Sequence, residues 1–281
     1  MSADLPVRSN LSIREAYKEF LNTERGILAY DQFKKILYGP DDSLVQTLND
    51  TILRCLRPTF TDVVNVCDIG GGDGKRIKNI LEFLHAKLAL TFNLDFVEQS
   101  ARLMHDFSVE GIASFTQTQR FQTLFEEADL RGGYDFIFFI HSIFAFQNRF
   151  VVDKALSLLN SRGSVIAVSN DHDSFLAGLK GLLDKGYNDS RFEIESFIDV
   201  LKERGIIFQR IPFQTKWSIH KDCLSQGVDA ILDWLSLGRF KDLNENNKRE
   251  ISRYIAKNSL ETAQRIIFVE NEVIVLISQV A

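Results

Sequence analysis

The chain reads as an α/β fold, a largely parallel sheet with helices on both faces. Three observations carry that expectation. A short β-branched run, Val63 to Ile69, has the pattern of a buried parallel strand. A glycine loop, Gly70-Gly71-Gly72-Asp73-Gly74, follows it and leads into helical apolar spacing at Ile77, Ile80, Leu81 and Leu84. Strand and helix patterns then alternate, as a parallel sheet with crossover helices requires. At 281 residues the chain suits one such domain with an appended subdomain.

Residues 11–38 have helical character. Ser12-Ile13-Arg14-Glu15 resembles a capping box, and Tyr17, Phe20 and Leu21 share one face. Gly39-Pro40-Asp41-Asp42 is a break, and a second helix is predicted from Ser43 to Leu56. Two helices ahead of the first strand predict a lid. Strands are expected over 63–69, 90–97, 112–116, 134–140 and 164–169, with helices over 75–86, 99–108, 120–127 and 149–160. Gly163 stands where a glycine closes the last of these helices. Helices over 173–185 and 193–204 follow, the second closed by Gly205. Strands are expected over 206–213, 215–220 and 265–279, with amphipathic helices over 222–237 and 245–258 between them. The expected organisation is a helical lid over 1–60, a ligand-binding core over 61–221, and a helical insertion with the final strand over 222–281.

Composition narrows the function. Lys and Arg number 33 against 38 Asp and Glu, a formal net charge of −5, and no basic block stands out. A nucleic-acid partner is therefore not expected. Cys55, Cys67 and Cys223 are widely spaced and show no metal-ligand pattern, so no metal is expected and reduced thiols in the cytoplasm are. Met1 to Pro6 lacks a basic segment followed by an apolar run, and the apolar stretch Phe136 to Phe146 is too short to span a bilayer. Neither a membrane nor an obligate protein partner is expected.

The chemistry concentrates at three strand ends. Alternating Gly70, Gly72 and Gly74 permit positive φ and let a ligand lie against the backbone. Asp68, just before them, either orients the loop or receives a ligand's amino group, and Asp73 is expected to be solvated. The second strand ends in Glu98, where an acid takes ribose hydroxyls in nucleoside-binding α/β folds. Tyr134 to Ser142 is a strand that delivers His141 to the same crevice. His172 follows the fifth strand, as a surface residue or a crevice residue. Phe144, Phe146, Phe175 and Trp217 form either an aromatic wall or plain core.

These pieces in this order resemble the S-adenosylmethionine-dependent methyltransferases of the Rossmann-like class I: Asp68-Ile69-Gly70-Gly71-Gly72-Asp73-Gly74 fits their first motif and Glu98 their second-strand acid. Over nearly the whole chain the sequence is similar to the histamine N-methyltransferase-like family. The resemblance is carried by Tyr17 to Asn22, Ile69 to Gly72, Val97 to Ala101, Tyr134 to Ile137 with Ile140-His141, Asp229 to Leu235, and Ile267 to Ile277. Gln99 stands where that family has proline, His141 where it has glutamine, and Glu270 where it has a substrate asparagine. The family's N-terminal substrate glutamate aligns with Gly26, and Glu24 lies nearby. The resemblance implies a mixed seven-stranded sheet. It implies S-adenosylmethionine as cofactor, held by Asp68, Gly70, Gly71, Gly72, Gly74, Glu98, Gln99 and Ile140. A small-molecule acceptor is expected, held by Glu24 and Glu270 on the alignment, by Phe144 and Phe175 from the aromatic pattern, and by His141 at its strand end, with His141 as base. Methyl transfer to a nitrogen of an amine or amino-acid-like compound is expected. An O-methyltransferase, a catalytically silent binding protein of this fold, and an NAD-linked enzyme remain as alternatives.

Overall fold

The structure, a computed structural model, describes residues 13–37, 43–55, 63–109, 112–146, 149–184 and 193–278. The capping box at Ser12 and the break at Gly39-Pro40-Asp41-Asp42 lie outside these residues in whole or part. The sheet is built from β1 (Val63–Ile69), β2 (Thr91–Val97), β3 (Phe115–Phe121), β4 (Tyr134–Ile140), β5 (Leu159–Asn170), β6 (Gln209–His220), β7 (Ser259–Glu261) and β8 (Arg265–Ser278). Its order is β3-β2-β1-β4-β5-β8-β6, with β7 paired to β8 off that path. The seven strands of the path agree with the expected sheet. β1 to β5 are parallel, and β8 runs antiparallel between β5 and β6. Strand order reverses between β1 and β4, and that reversal opens a crevice at the carboxyl ends of the strands.

The helices are α1 (Ile13–Leu21), α2 (Glu24–Leu37), α3 (Ser43–Cys55), α4 (Lys75–Leu88), α5 (Ala101–Asp106), α6 (Phe150–Leu158), α7 (Phe175–Asp184), α8 (Ile194–Glu203), α9 (Leu224–Leu235) and α10 (Glu245–Lys257). The two-residue period of β4 sorts the core. Phe136, Phe138 and Ile140 face α4, while Ile137 and Phe139 face α6 and α8. Leu44, Leu48 and Ile52 of α3 are buried in the α4 layer. α3 is thus a core helix, and only α1 and α2 form the lid. Tyr17, Phe20, Ala29 and Phe33 of the lid share a third apolar cluster with α7, α9 and α10, in which Tyr17, Tyr30 and Phe33 stand 4.8–5.7 Å from the Trp234 ring. Arg25 ties α2 to α9 through two bonds to Asp233, 2.8 and 2.5 Å.

Several expected elements differ. The helix over 11–38 is two helices. Thr23 Oγ1 donates to the Phe20 carbonyl at 2.7 Å and accepts from Gly26 N at 2.9 Å, closing one helix and opening the next. A Cβ at Gly26 would lie 1.9 Å from the Phe20 carbonyl oxygen, so only glycine fits that corner. No helix forms over 120–127, because β3 extends to Phe121 and pairs along β2. Gly163 lies inside β5 rather than after a helix, and a Cβ there would lie 2.5 Å from the Tyr134 carbonyl oxygen. The two strands expected over 206–220 are the single strand β6, paired continuously with β8 from Gln209 to His220. β8 runs unbroken through Glu270-Asn271-Glu272, in agreement with the strand expected over 265–279.

Candidate functional site

The glycine loop leaves β1 with φ of +67° at Gly70, +63° at Gly72 and +72° at Gly74, a region closed to most side chains. A Cβ at Gly71 would lie 2.2 Å from Asp68 Oδ2 and 2.3 Å from Phe96, so the loop folds directly over the acid that precedes it. Ser142, just past β4, donates to the Ile69 carbonyl at 2.6 Å and ties the two strand ends across the crevice. Glu98 accepts from Gly72 N at 3.0 Å and from Ser100 N at 2.8 Å, so it holds the loop and the start of α5 together. Each carboxylate oxygen has a second lone pair, which leaves Glu98 able to accept two more donors.

Asp68 is buried and its Oδ1 has no hydrogen-bond partner. Burial, reinforced by the nearby Glu98 charge, pushes its carboxyl up to about 8. Glu98 is raised as well, by burial against the pull of its backbone donors. Gln99 Oε1 is a second buried oxygen without a partner at the same wall. Two unsatisfied buried acceptors beside a backbone cradle fit a ligand that brings donors and positive charge.

The lid closes over this cradle. Tyr30 of α2 puts its hydroxyl 2.7 Å from where a Cβ at Gly72 would stand. Lys34 reaches Asp73 at 2.7 Å, and Asp31 reaches Arg102 of α5 at 3.2 Å. Asp73 is therefore a latch residue and not the solvated acid expected. Burial, the largest single influence, would raise its carboxyl, but Lys34 and Lys75 together hold it low. Between lid and sheet lies a cavity of about 1250 Å³.

Its walls include Asp68, Gly70, Gly71, Gly72, Glu98, Gln99, Ile140, His141, Phe144 and Glu270, ten of the residues expected from sequence. Three others fall elsewhere. Gly74 is outside the lining and packs against Phe107, because it ends the loop as the residue before α4. Glu24 is exposed at the first turn of α2 and outside the lining, which removes it from the expected acceptor site. Phe175 is core, 4.8 Å from the Phe268 ring and 5.6 Å from Trp217, rather than cavity wall.

Glu270 is buried at the cavity wall, but its carboxylate also caps α7. It accepts from Leu176 N at 3.1 Å and from Asn170 at 2.9 Å. Burial nevertheless pushes it up to about 8. The group nearest His141 is Glu272, two residues further along β8, with Oε2 3.0 Å from the imidazole Nε2. Sequence reading missed Glu272, Thr215, Tyr30 and Lys34. The two-residue period of the strand expected over 265–279 puts Glu272 on the face of Glu270, which is the signal that could have found it. His172 lines the cavity, bonded to Asp171 at 2.7 Å, and Arg210 lies 2.5 Å from Asp171 and 2.8 Å from Glu195. Asp171, His172 and Glu195 have metal-ligand spacing among the described residues, but the Arg210 guanidinium already bridges both acids.

No family model matches the chain, and no curated protein matches it in sequence. Solved structures match its fold. A protein from Bacillus halodurans, provisionally described as a methyltransferase, superposes with a TM-score of 0.55 at 13% identity, over 86% of this chain and 100% of the other. Mycolic acid cyclopropane synthase, crystallised with S-adenosylhomocysteine, gives 0.55 at 11% identity over 95% and 99% of the two chains. The plantazolicin methyltransferase, crystallised with S-adenosylhomocysteine and a desmethyl plantazolicin analogue, gives 0.53 at 16% identity over 93% and 95%. The chain has the Rossmann-like class I methyltransferase fold.

Proposed function

We propose that this protein transfers a methyl group from S-adenosylmethionine to a nitrogen of a small amine or amino-acid-like acceptor. The observation that carries the reading is the buried, partnerless Oδ1 of Asp68 beneath a glycine cradle that no side chain could share. Asp68 and Gln99 are suited to a cofactor that brings an ammonium and amide-type donors, and Glu98 retains lone pairs for two ribose hydroxyls. Two structural neighbours of the same fold were crystallised with S-adenosylhomocysteine, a nucleoside of this kind. The cavity exceeds the usual 300–1,000 Å³ of a single-ligand pocket, so cofactor and acceptor fit together.

When bound, S-adenosylmethionine supplies an activated methyl: the C–N bond forms as the C–S bond breaks, and sulfur keeps the electron pair. The protein's part is positioning, exclusion of water by the lid, and removal of a proton. An alkylammonium must lose one proton to expose its lone pair, and His141, which lines the cavity, is the base in this reading. Glu270 and Glu272 on one face of β8 favour a cationic acceptor over a neutral phenol. The histamine N-methyltransferase-like resemblance supports nitrogen as the methylated atom, while the altered acceptor positions His141 and Glu270 argue against histamine itself. Calorimetry with S-adenosylhomocysteine and with NAD tests the cofactor: heat with the first and none with the second is expected. A methyl-transfer screen over amines, amino acids and phenols tests the acceptor, and methylation confined to neutral phenols would overturn the nitrogen reading.

A further inference from the structure

His141 sits just past β4 with φ of +53°, rare for a residue with a side chain, and its N–H donates to the Val168 carbonyl at 2.9 Å. Its side chain is 18% exposed, into the cavity. Glu272 meets it from β8, across β5, with Oε2 3.0 Å from Nε2. Thr215 of β6 donates to the other oxygen of Glu272 at 2.6 Å and fixes the carboxylate from behind. Glu272 is buried, and among the described residues Oε2 makes no hydrogen bond of good geometry, its 3.0 Å approach to Nε2 being an ion-pair contact. A buried carboxylate oxygen in that position is costly unless positive charge arises beside it. The neighbouring charges are Glu270 on β8 and Arg76 at the start of α4, and His141 is the group in contact. Burial would raise Glu272, but the His141 charge and hydrogen bond, Thr215 and Arg76 together hold it low. A carboxylate against Nε2 keeps a proton on that nitrogen and leaves the lone pair on Nδ1. Among the described residues Nδ1 has no hydrogen-bond partner.

We propose that Glu272, braced by Thr215, is the positioning residue that presents Nδ1 of His141 to the acceptor and stabilises the imidazolium formed when that nitrogen takes the acceptor's proton. This role rests on the methyl-transfer reading above. The balance is simple: the ammonium N–H bond breaks, its electron pair stays on the acceptor nitrogen, and the proton ends on Nδ1. β6, β8 and the turn just past β4 contribute one group each, so the arrangement exists only in the folded sheet.

Two measurements on the full chain test it, each on the parent, Glu272→Gln, Glu272→Asp and Thr215→Val. The first is imidazole nitrogen NMR with S-adenosylhomocysteine present, on the alkaline side of the His141 titration, assigned with His141→Gln. The parent should hold the Nε2–H tautomer, and Glu272→Gln should show a mixture of tautomers. An unchanged Nε2–H population in Glu272→Gln overturns the proposal. The second is methyl transfer to phenethylamine, an alkylammonium, and to 4-methylimidazole, which has a free lone pair at neutral pH. Glu272→Gln should lower kcat at least tenfold for phenethylamine, move the acid limb of its pH profile, and leave KM for S-adenosylmethionine unchanged. Glu272→Asp should restore part of the loss, and 4-methylimidazole should be affected less than threefold. Equal losses for both probes with a raised cofactor KM would mark Glu272 as merely structural and overturn the proposal. Where the parent methylates neither probe, the acceptor found in the amine and phenol screen replaces them, and the tautomer measurement decides the role of Glu272 by itself.

Discussion

At the scale of single residues, the cradle is specified by what it cannot hold. A methyl group at Gly71 would strike Asp68 and Phe96, so Gly71→Ala should weaken S-adenosylhomocysteine tenfold or more, the change equivalent to about 1.4 kcal/mol. Calorimetry on a variant with unchanged thermal unfolding checks this. Glu98→Ala removes the acceptor of two backbone N–H groups and of the expected ribose hydroxyls, a loss on the order of 1.5–3 kcal/mol in cofactor binding. Unchanged affinity in that variant would disprove the ribose role. Asp68 makes a sharper case. Its carboxyl, raised to about 8, is protonated at neutral pH before any cation arrives. An incoming ammonium favours the ionised form, so binding should release a proton at pH 7 and tighten as pH rises toward 8. Titration in two buffers of different ionisation heat measures that proton, and Asp68→Asn should abolish it.

At the scale of elements, the lid is fastened at two ends. Aromatic packing around Trp234 and the Arg25–Asp233 pair join α1 and α2 to α9, while Lys34–Asp73 and Asp31–Arg102 join α2 to the cradle. Deleting the lid would strip the cover from Trp234, so a point change is the cleaner probe. Lys34→Ala removes a largely buried ion pair worth about 1 kcal/mol or more and leaves the α9 contacts intact. The expected result is faster release of S-adenosylhomocysteine, about fivefold, with little change in stability, measured by stopped-flow displacement. A rate equal to the parent's would show that the latch does not gate the cofactor. The helix boundaries here were partly legible. Gly205, with φ of +64°, closes α8 as its position suggested, whereas Gly163 and the run 120–127 misled. Local pattern cannot distinguish a helix-ending glycine from one admitted into a strand by close contact with β4.

At the scale of the whole molecule, the crevice gathers more carboxylates than it can comfortably ionise. Asp68 and Glu270 are both raised to about 8, each chiefly by burial. An acid raised in the folded state binds more protons there than in the unfolded chain. Its stabilisation is complete below the unfolded value and is lost as pH climbs through the folded one. The protein without cofactor should therefore lose stability between about pH 4 and 8, by denaturant midpoint. Glu270→Gln should flatten that slope and should be the more stable form at pH 8.5, by on the order of 1–3 kcal/mol. A slope identical to the parent's would mean that Glu270 ionises freely. S-adenosylhomocysteine should raise the melting temperature in a concentration-dependent way, since it binds the folded state alone.

The sequence by itself determined the α/β class, the succession of parallel strands along the chain, the helical character of the lid and the cradle from Asp68 to Gly72 with Glu98. These are local events: apolar period, glycine alternation and an acid at a strand end are written into short stretches of chain. It also put His141 at the crevice, because strand ends in a parallel sheet converge; Ile140, Gln99, Phe144 and Glu270, expected from the family resemblance and the aromatic pattern, line the same cavity. What only the tertiary structure decided is which side chains meet across distance. Glu272 rather than Glu270 faces His141, Thr215 braces it, Lys34 takes Asp73, Phe175 turns into the core and Glu24 turns out to solvent. Each of these depends on strand register or on the packing of helices far apart in sequence, so no window of neighbouring residues contains it.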